Sequence, residues 1–136
     1  MTTKYGHQAG DRVLSIVAKA IKTQLRNNDV LARYGGEEFI ALLTNINETM
    51  ALEIAERIRK NIQALSIEFN DFAIPVTISI GSSTYLPCAA SSSKDNEIAT
   101  RLIKSADAGL YKAKHNGRNR VENGGTVSDK QVALPA

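Results

Sequence analysis

The chain of 136 residues has no tryptophan and only 5% aromatics, which leaves little from which to build a platform for stacked bases. Its single cysteine, Cys88, excludes a disulfide framework and a cysteine-rich zinc site. It also fits a reducing, cytoplasmic setting. No run of five or six like charges supplies a basic arm, and no apolar stretch approaches a membrane span. The polar segment from Met1 to Gly10 lacks the apolar core of a signal peptide. The expectation is a cytoplasmic domain with no nucleic-acid partner and no membrane segment of its own, leaving open an anchor elsewhere in a parent protein.

What is present is ordinary for one globular domain: 43% hydrophobic and 23% charged residues. The net charge of +3 suits a phosphorylated small molecule. Leu14, Val17, Ala18, Ile21 and Leu25 recur at helical spacing and predict a helix over Asp11–Leu25, with Asp11 at its start. Val30–Tyr34 and Glu38–Leu43 flank Gly35-Gly36 as a hairpin would. A second helix is expected from about Asn47 to Leu65, with Ala51, Ile54, Ala55, Ile58 and Ile62 inward and Glu53 paired to Arg57. Val76, Ile78 and Ile80 alternate with small polar residues in a strand over Pro75–Tyr85. A Ser/Ala-rich loop over Pro87–Lys94 precedes a third helix over Asn96–His115, stopped by Asn116-Gly117. Asn119–Glu122 predicts a short last strand, and 123–136 a disordered tail. The layout is α+β, with helices on one face of an antiparallel sheet.

The segment Arg33-Tyr34-Gly35-Gly36-Glu37-Glu38-Phe39 is the most informative. Two glycines at a hairpin tip let backbone approach a ligand, and two acids after them suit Mg²⁺ or a nucleotide. The same acids would also serve to solubilise an exposed tip. Three further blocks accompany it: Tyr5-Gly6-His7-Gln8-Ala9-Gly10-Asp11, Val76-Thr77-Ile78-Ser79-Ile80-Gly81, and Ala106–Lys114 followed by Asn116-Gly117-Arg118-Asn119. Together, over about Lys4 to Val121, they resemble the GGDEF family of diguanylate cyclases in its GGEEF form, which condense two GTP into the second messenger cyclic di-GMP and pyrophosphate.

The resemblance implies a ferredoxin-like βαββαβ fold over residues 1–122 and a set of site residues. Glu37 would bind Mg²⁺ or Mn²⁺, and Glu38 would support metal and catalysis. Gly35 and Gly36 would lie against the nucleotide, and Lys114 and Arg118 would hold phosphates. The alternative for those two is that they are solvated cations at a helix end. Asp11 would accept from the guanine N1–H and 2-amino group, which adenine does not offer as a pair. It could also cap a helix. Two GTP-loaded domains would meet face to face, so a homodimer is implied.

Arg26-Asn27-Asn28-Asp29 resembles the family's RxxD inhibitory site for its product, with five residues between Asp29 and Gly35. Arg57 resembles the secondary arginine that completes that site from a neighbouring domain, or simply pairs with Glu53. The family also places a strand and turn, carrying a metal-binding Asp, a Lys and a guanine-contacting Asn, ahead of Tyr-Gly-His. Thr2-Thr3 stand where the family has Asn-Asp. The expectation is therefore an N-terminally truncated domain without its first central strand, poorly folded and inactive alone. The competing reading is a non-catalytic receptor for cyclic di-GMP; a cyclase acting on ATP is disfavoured by Asp11.

Overall fold

The computed structural model describes residues 6–87 and 94–128. Cys88, most of the Ser/Ala-rich loop, Thr2-Thr3, Tyr5 and the tail from 129 lie outside the described residues. Helix α1 (Gly6–Thr23) leads to an antiparallel hairpin of β1 (Val30–Arg33) and β2 (Phe39–Leu42). Helix α2 (Glu48–Gln63) and a second hairpin, β3 (Ile67–Phe69) with β4 (Phe72–Ile74), come next. Strand β5 (Ile80–Leu86), helix α3 (Asp95–His115) and strand β6 (Val121–Ser128) complete the order. The α+β class is the one the periodicities imply.

One apolar stripe of α1, comprising Ala9, Val13, Val17 and Ile21, packs with Ile58 and Ile62 of α2, and with Ile67, Ile74 and Val76. Ile62 is fully enclosed, a burial worth roughly 1.5–3 kcal/mol. The helix α2 begins where Asn47 caps it, its side chain accepting from the Met50 N–H at 2.8 Å. Leu31 of β1 and Phe39 of β2 lean on this core, while Val30 and Leu42, opposite each other across the hairpin, stay exposed.

Four expectations are corrected. Helix α1 starts at Gly6, because Ala9 and Val13 continue its apolar stripe toward the N-terminus. Asp11 therefore lies inside the helix and caps nothing. The strand over Pro75–Tyr85 is a ladder only from Ile80, where β6 supplies a parallel partner starting at Val121. Among the described residues, Val76–Ser79 have no such partner, and a pattern without a ladder makes no strand. That last pair runs parallel because α3 crosses over between its strands. Finally, Asn123–Ser128, expected as tail, form most of β6: Gly125, at φ 115°, supplies a conformation that only glycine adopts freely, beside a bulge facing Ser82-Ser83.

The β3–β4 hairpin carries a turn signal of its own in the sequence. Asn70 and Asp71 both take positive φ, 50° and 66°, as a two-residue turn demands, between Ile67-Glu68-Phe69 and Phe72-Ala73-Ile74.

Helix α3 sits directly on β5 and β6. A Cβ at Gly81 would lie 2.1 Å from the Ala106 carbonyl oxygen and 2.2 Å from the Leu110 nitrogen. Gly81→Ala should therefore destabilise the chain by about 1–3 kcal/mol or more, measured by denaturant unfolding. Gly35→Ala, where nothing lies within 4 Å of the added carbon, should change stability by no more than about 0.5 kcal/mol.

Candidate nucleotide site at the hairpin tip and the end of α3

The β1–β2 hairpin closes through Tyr34-Gly35-Gly36-Glu37-Glu38. The Tyr34 N–H donates to the Glu38 carbonyl at 2.8 Å, and that of Gly35 to the same oxygen at 3.4 Å. The Arg33 guanidinium folds back over the tip, its Nε donating to the Gly35 carbonyl at 3.2 Å and a terminal nitrogen to that of Gly36. The tip is thus braced by its own arginine, with both glycines exposed. Glu37 is exposed and has no partner among the described residues.

Glu38 turns toward α3. Its Oε1 lies 3.9 Å from Lys114 Nζ, with both side chains about two-fifths exposed (44% and 39%). An ion pair this exposed is worth roughly 0–1 kcal/mol, so its importance is spatial: it brings the acidic tip and the cationic last turn of α3 into one place. Arg118 follows one turn later, exposed, its N–H bonded to the Ala113 carbonyl at 2.8 Å. Asp11 is exposed on α1 and makes no hydrogen bond or ion pair among the described residues.

No group of three or more His, Cys, Asp or Glu side chains gathers to hold a metal among the described residues. Glu37 and Glu38 offer two neighbouring carboxylates. That fits a hard cation such as Mg²⁺, which keeps several waters and takes substrate phosphates as further ligands.

Arg26 and Asp29 meet, but chiefly with each other. Arg26 Nε and one terminal nitrogen reach the two Asp29 oxygens at 3.1 and 3.0 Å, and the Arg26 N–H donates to the same carboxylate at 2.8 Å. The guanidinium also donates to the Thr44 carbonyl, and the Thr44 N–H to Asp29 at 3.4 Å. The clamp ties the turn before β1 to the residues after β2. The Asp29 side chain is 1% exposed, that of Arg26 48%. Arg57 lies on a different element, on the exposed face of α2 with Thr49, Glu53 and Lys60. The expected Glu53–Arg57 pair is not formed. Glu56 and Arg59 pair instead at i,i+3, and the arginine reaches on to Asn119 at 3.0 Å. The i,i+3 spacing was the available signal for this network.

The hydrogen bonds from Arg26 hold Asp29 down to about 2, from an ordinary 3.8. A carboxylate depressed on folding stabilises above its unfolded value and loses that contribution as pH falls through the folded one. The clamp should therefore persist to about pH 2 in a carboxyl NMR titration of Asp29. Arg26→Ala should return the midpoint toward the ordinary value; an unchanged midpoint would refute the clamp.

A family model described as diguanylate cyclase, GGDEF domain, matches residues 1–120. The chain is 50% identical over 117 residues to diguanylate cyclase A of Treponema denticola, covering 86% of this chain and 30% of that protein. It is 43% identical over 120 residues to the probable diguanylate cyclase DgcT of Escherichia coli, covering 86% and 25%. It thus spans under a third of these curated relatives. Among solved structures, the GGDEF domain of Caulobacter crescentus DgcB in complex with c-di-GMP superposes with a TM-score of 0.77 at 28% identity, covering 90% of this chain and 69% of that one. The active GGEEF domain of a Vibrio cholerae diguanylate cyclase does so with 0.71 at 30% identity, covering 90% and 72%. On this match of sequence and fold, the chain belongs to the GGDEF diguanylate cyclase family.

Proposed function

We propose that the complete domain to which this chain contributes binds GTP and, as one of two facing copies, condenses it to cyclic di-GMP and pyrophosphate. The observation that supports the reading is the approach of Lys114 to Glu38, a cation of the kind that binds phosphate beside one of the two acids of the tip. Each 3′-hydroxyl would attack the α-phosphate of the other nucleotide. A new P–O bond forms as the bond to the pyrophosphate oxygen breaks, and the hydroxyl proton is released. Each domain holds one nucleotide, so a homodimer is required.

Glu37, with Glu38 beside it, would hold Mg²⁺ or Mn²⁺, which neutralises charge developing on the phosphates. Gly35 and Gly36, exposed and free of neighbours for a Cβ, leave room for the nucleotide against the tip. Lys114 and Arg118 would take the β- and γ-phosphates, and Asp11 the guanine edge. The alternative of a receptor that binds cyclic di-GMP without making it is disfavoured by the intact Gly35-Gly36-Glu37-Glu38-Phe39 segment, in which Glu37 has no partner among the described residues.

Feedback by the product would act at Arg26, Asp29 and Arg57. Because Asp29 is enclosed in its clamp while Arg26 and Arg57 face solvent, the product would meet the two arginines first.

Two measurements test these readings in the protein that carries this domain. Glu37→Gln should reduce cyclic di-GMP formation by about 10²-fold or more without lowering the thermal midpoint; near-normal turnover would sink the assignment. Arg57→Ala removes a side chain that makes no hydrogen bond or ion pair among the described residues. Losing one charge-assisted contact should weaken product inhibition about tenfold or more, and progress curves with unchanged inhibition would exclude Arg57 from the site.

A further inference from the structure

Three consecutive residues after α3 take positive φ: Gly117 at 118°, Arg118 at 63° and Asn119 at 46°. Glycine adopts this region freely and asparagine tolerates it, whereas a long side chain such as arginine pays a steric penalty there. The local bonds are few: Asn116 N–H to the Lys112 carbonyl at 2.8 Å, Arg118 N–H to that of Ala113 at 2.8 Å, and Arg120 Nε to that of Arg118 at 3.2 Å. None of these reaches another element of the fold.

One contact does. Arg59 of α2 donates from a terminal nitrogen to Asn119 Oδ1 at 3.0 Å, across sixty residues of sequence. Its side chain is only 15% exposed, and the rest of its fork is fixed. Nε bonds Glu56 at 2.9 Å, the other terminal nitrogen completes a bidentate pair with the same carboxylate, and the first also touches Gln63 at 3.2 Å. A planar guanidinium held along two edges points its remaining donor in one direction. That direction is the loop.

We infer that Arg59 is a positioning residue for nucleotide binding: through Asn119 it holds the Gly117–Asn119 turn in its left-handed conformation and so sets where Arg118 presents its guanidinium to the phosphates. The inference rests on the proposed role of Arg118. Glu56 is the brace that aims Arg59, and its own pKa is lowered by that pairing. Without the bond to Asn119, the turn relaxes to a cheaper backbone conformation, and Arg118, one residue away, moves with it.

Two readouts on the protein that carries this domain test the inference separately from the nucleotide reading. In the first, hydrogen exchange at the Arg118 N–H should quicken about tenfold or more in Asn119→Ala and Arg59→Ala. Asn119→Asp, which keeps an acceptor and tolerates the same φ, should retain protection. Asn119→Ala leaves α2 untouched, so a folding defect of Arg59→Ala does not obscure the result. Unchanged exchange in both alanine variants overturns the inference, whether or not GTP binds. In the second, calorimetric titration with GTP and Mg²⁺ should show Asn119→Ala and Arg59→Ala weakening affinity about tenfold, with no further loss when either is combined with Arg118→Ala. Equal losses with and without Arg118 would show that Arg59 acts by some other route and would overturn the positioning role. A wild-type protein that takes up no GTP would instead defeat the proposed function and leave the exchange result to decide the position of the turn.

Discussion

Helix α3 and the β5–β6 pair are held at backbone-contact distance, and the position of the candidate site follows from that. Besides the contact at Gly81, a Cβ at Gly124 would sit 1.9 Å from the Ser105 carbonyl oxygen, and one at Gly109 2.8 Å from that of Glu122. Small polar side chains stitch the same seam: Ser83 Oγ donates to the Leu102 carbonyl at 2.7 Å, and Ser105 Oγ to that of Gly124 at 2.9 Å. Interiors packed this closely transmit displacement instead of absorbing it. Lys114, in the last turn of α3, is therefore fixed relative to these strands. Adding one methyl group in this seam would move the cationic half of the site.

The acidic half is fixed by a different device. The β1–β2 hairpin buries little, with Val30, Tyr34 and Leu42 more than half exposed, so hydrophobic burial alone would leave it loose. Polar clamps compensate at both ends. Arg26 and Asp29 bind the base through Thr44, and Arg33 braces the tip through the carbonyls of Gly35 and Gly36. These are charge-assisted bonds, the stronger kind. They order backbone without filling the space around the glycines, and an open but rigid tip is what a nucleotide-binding loop requires. The clamp at the base also joins the proposed feedback residues directly to the hairpin that carries Glu37 and Glu38.

The sequence made the helices and the first hairpin legible because each carries a period and a punctuation mark. Ala55, Ile58 and Ile62 are buried as their spacing requires, Asn47 caps α2, and Asn116-Gly117 ends α3. What stayed hidden depended on partners distant in sequence. Val76–Ser79 alternate as a strand does, but alternation says nothing of whether a neighbour is present to form the ladder. Asn123-Gly124-Gly125 reads as a flexible tail, and it becomes a strand only because α3 needs glycines beneath it. At the candidate site, Glu38 and Lys114 were singled out by pattern, and the fold brings them together across 76 residues. Arg59 carries no such mark: Glu56 at i−3 and Gln63 at i+4 are partners enough for a helix arginine, and its reach to Asn119 appears only in three dimensions.

The central claim is that the hairpin tip and the end of α3 form one nucleotide site. Its most direct test is paramagnetic NMR of the protein that carries this domain, with GTP and Mn²⁺ in place of Mg²⁺. Broadening confined to the amides of Gly35–Glu38 and of Lys114–Arg118, appearing together as Mn²⁺·GTP is added and absent with Mn²⁺·ATP at the same concentration, is the result this account predicts. Broadening at the tip alone, or centred on Arg26 and Asp29, would contradict it.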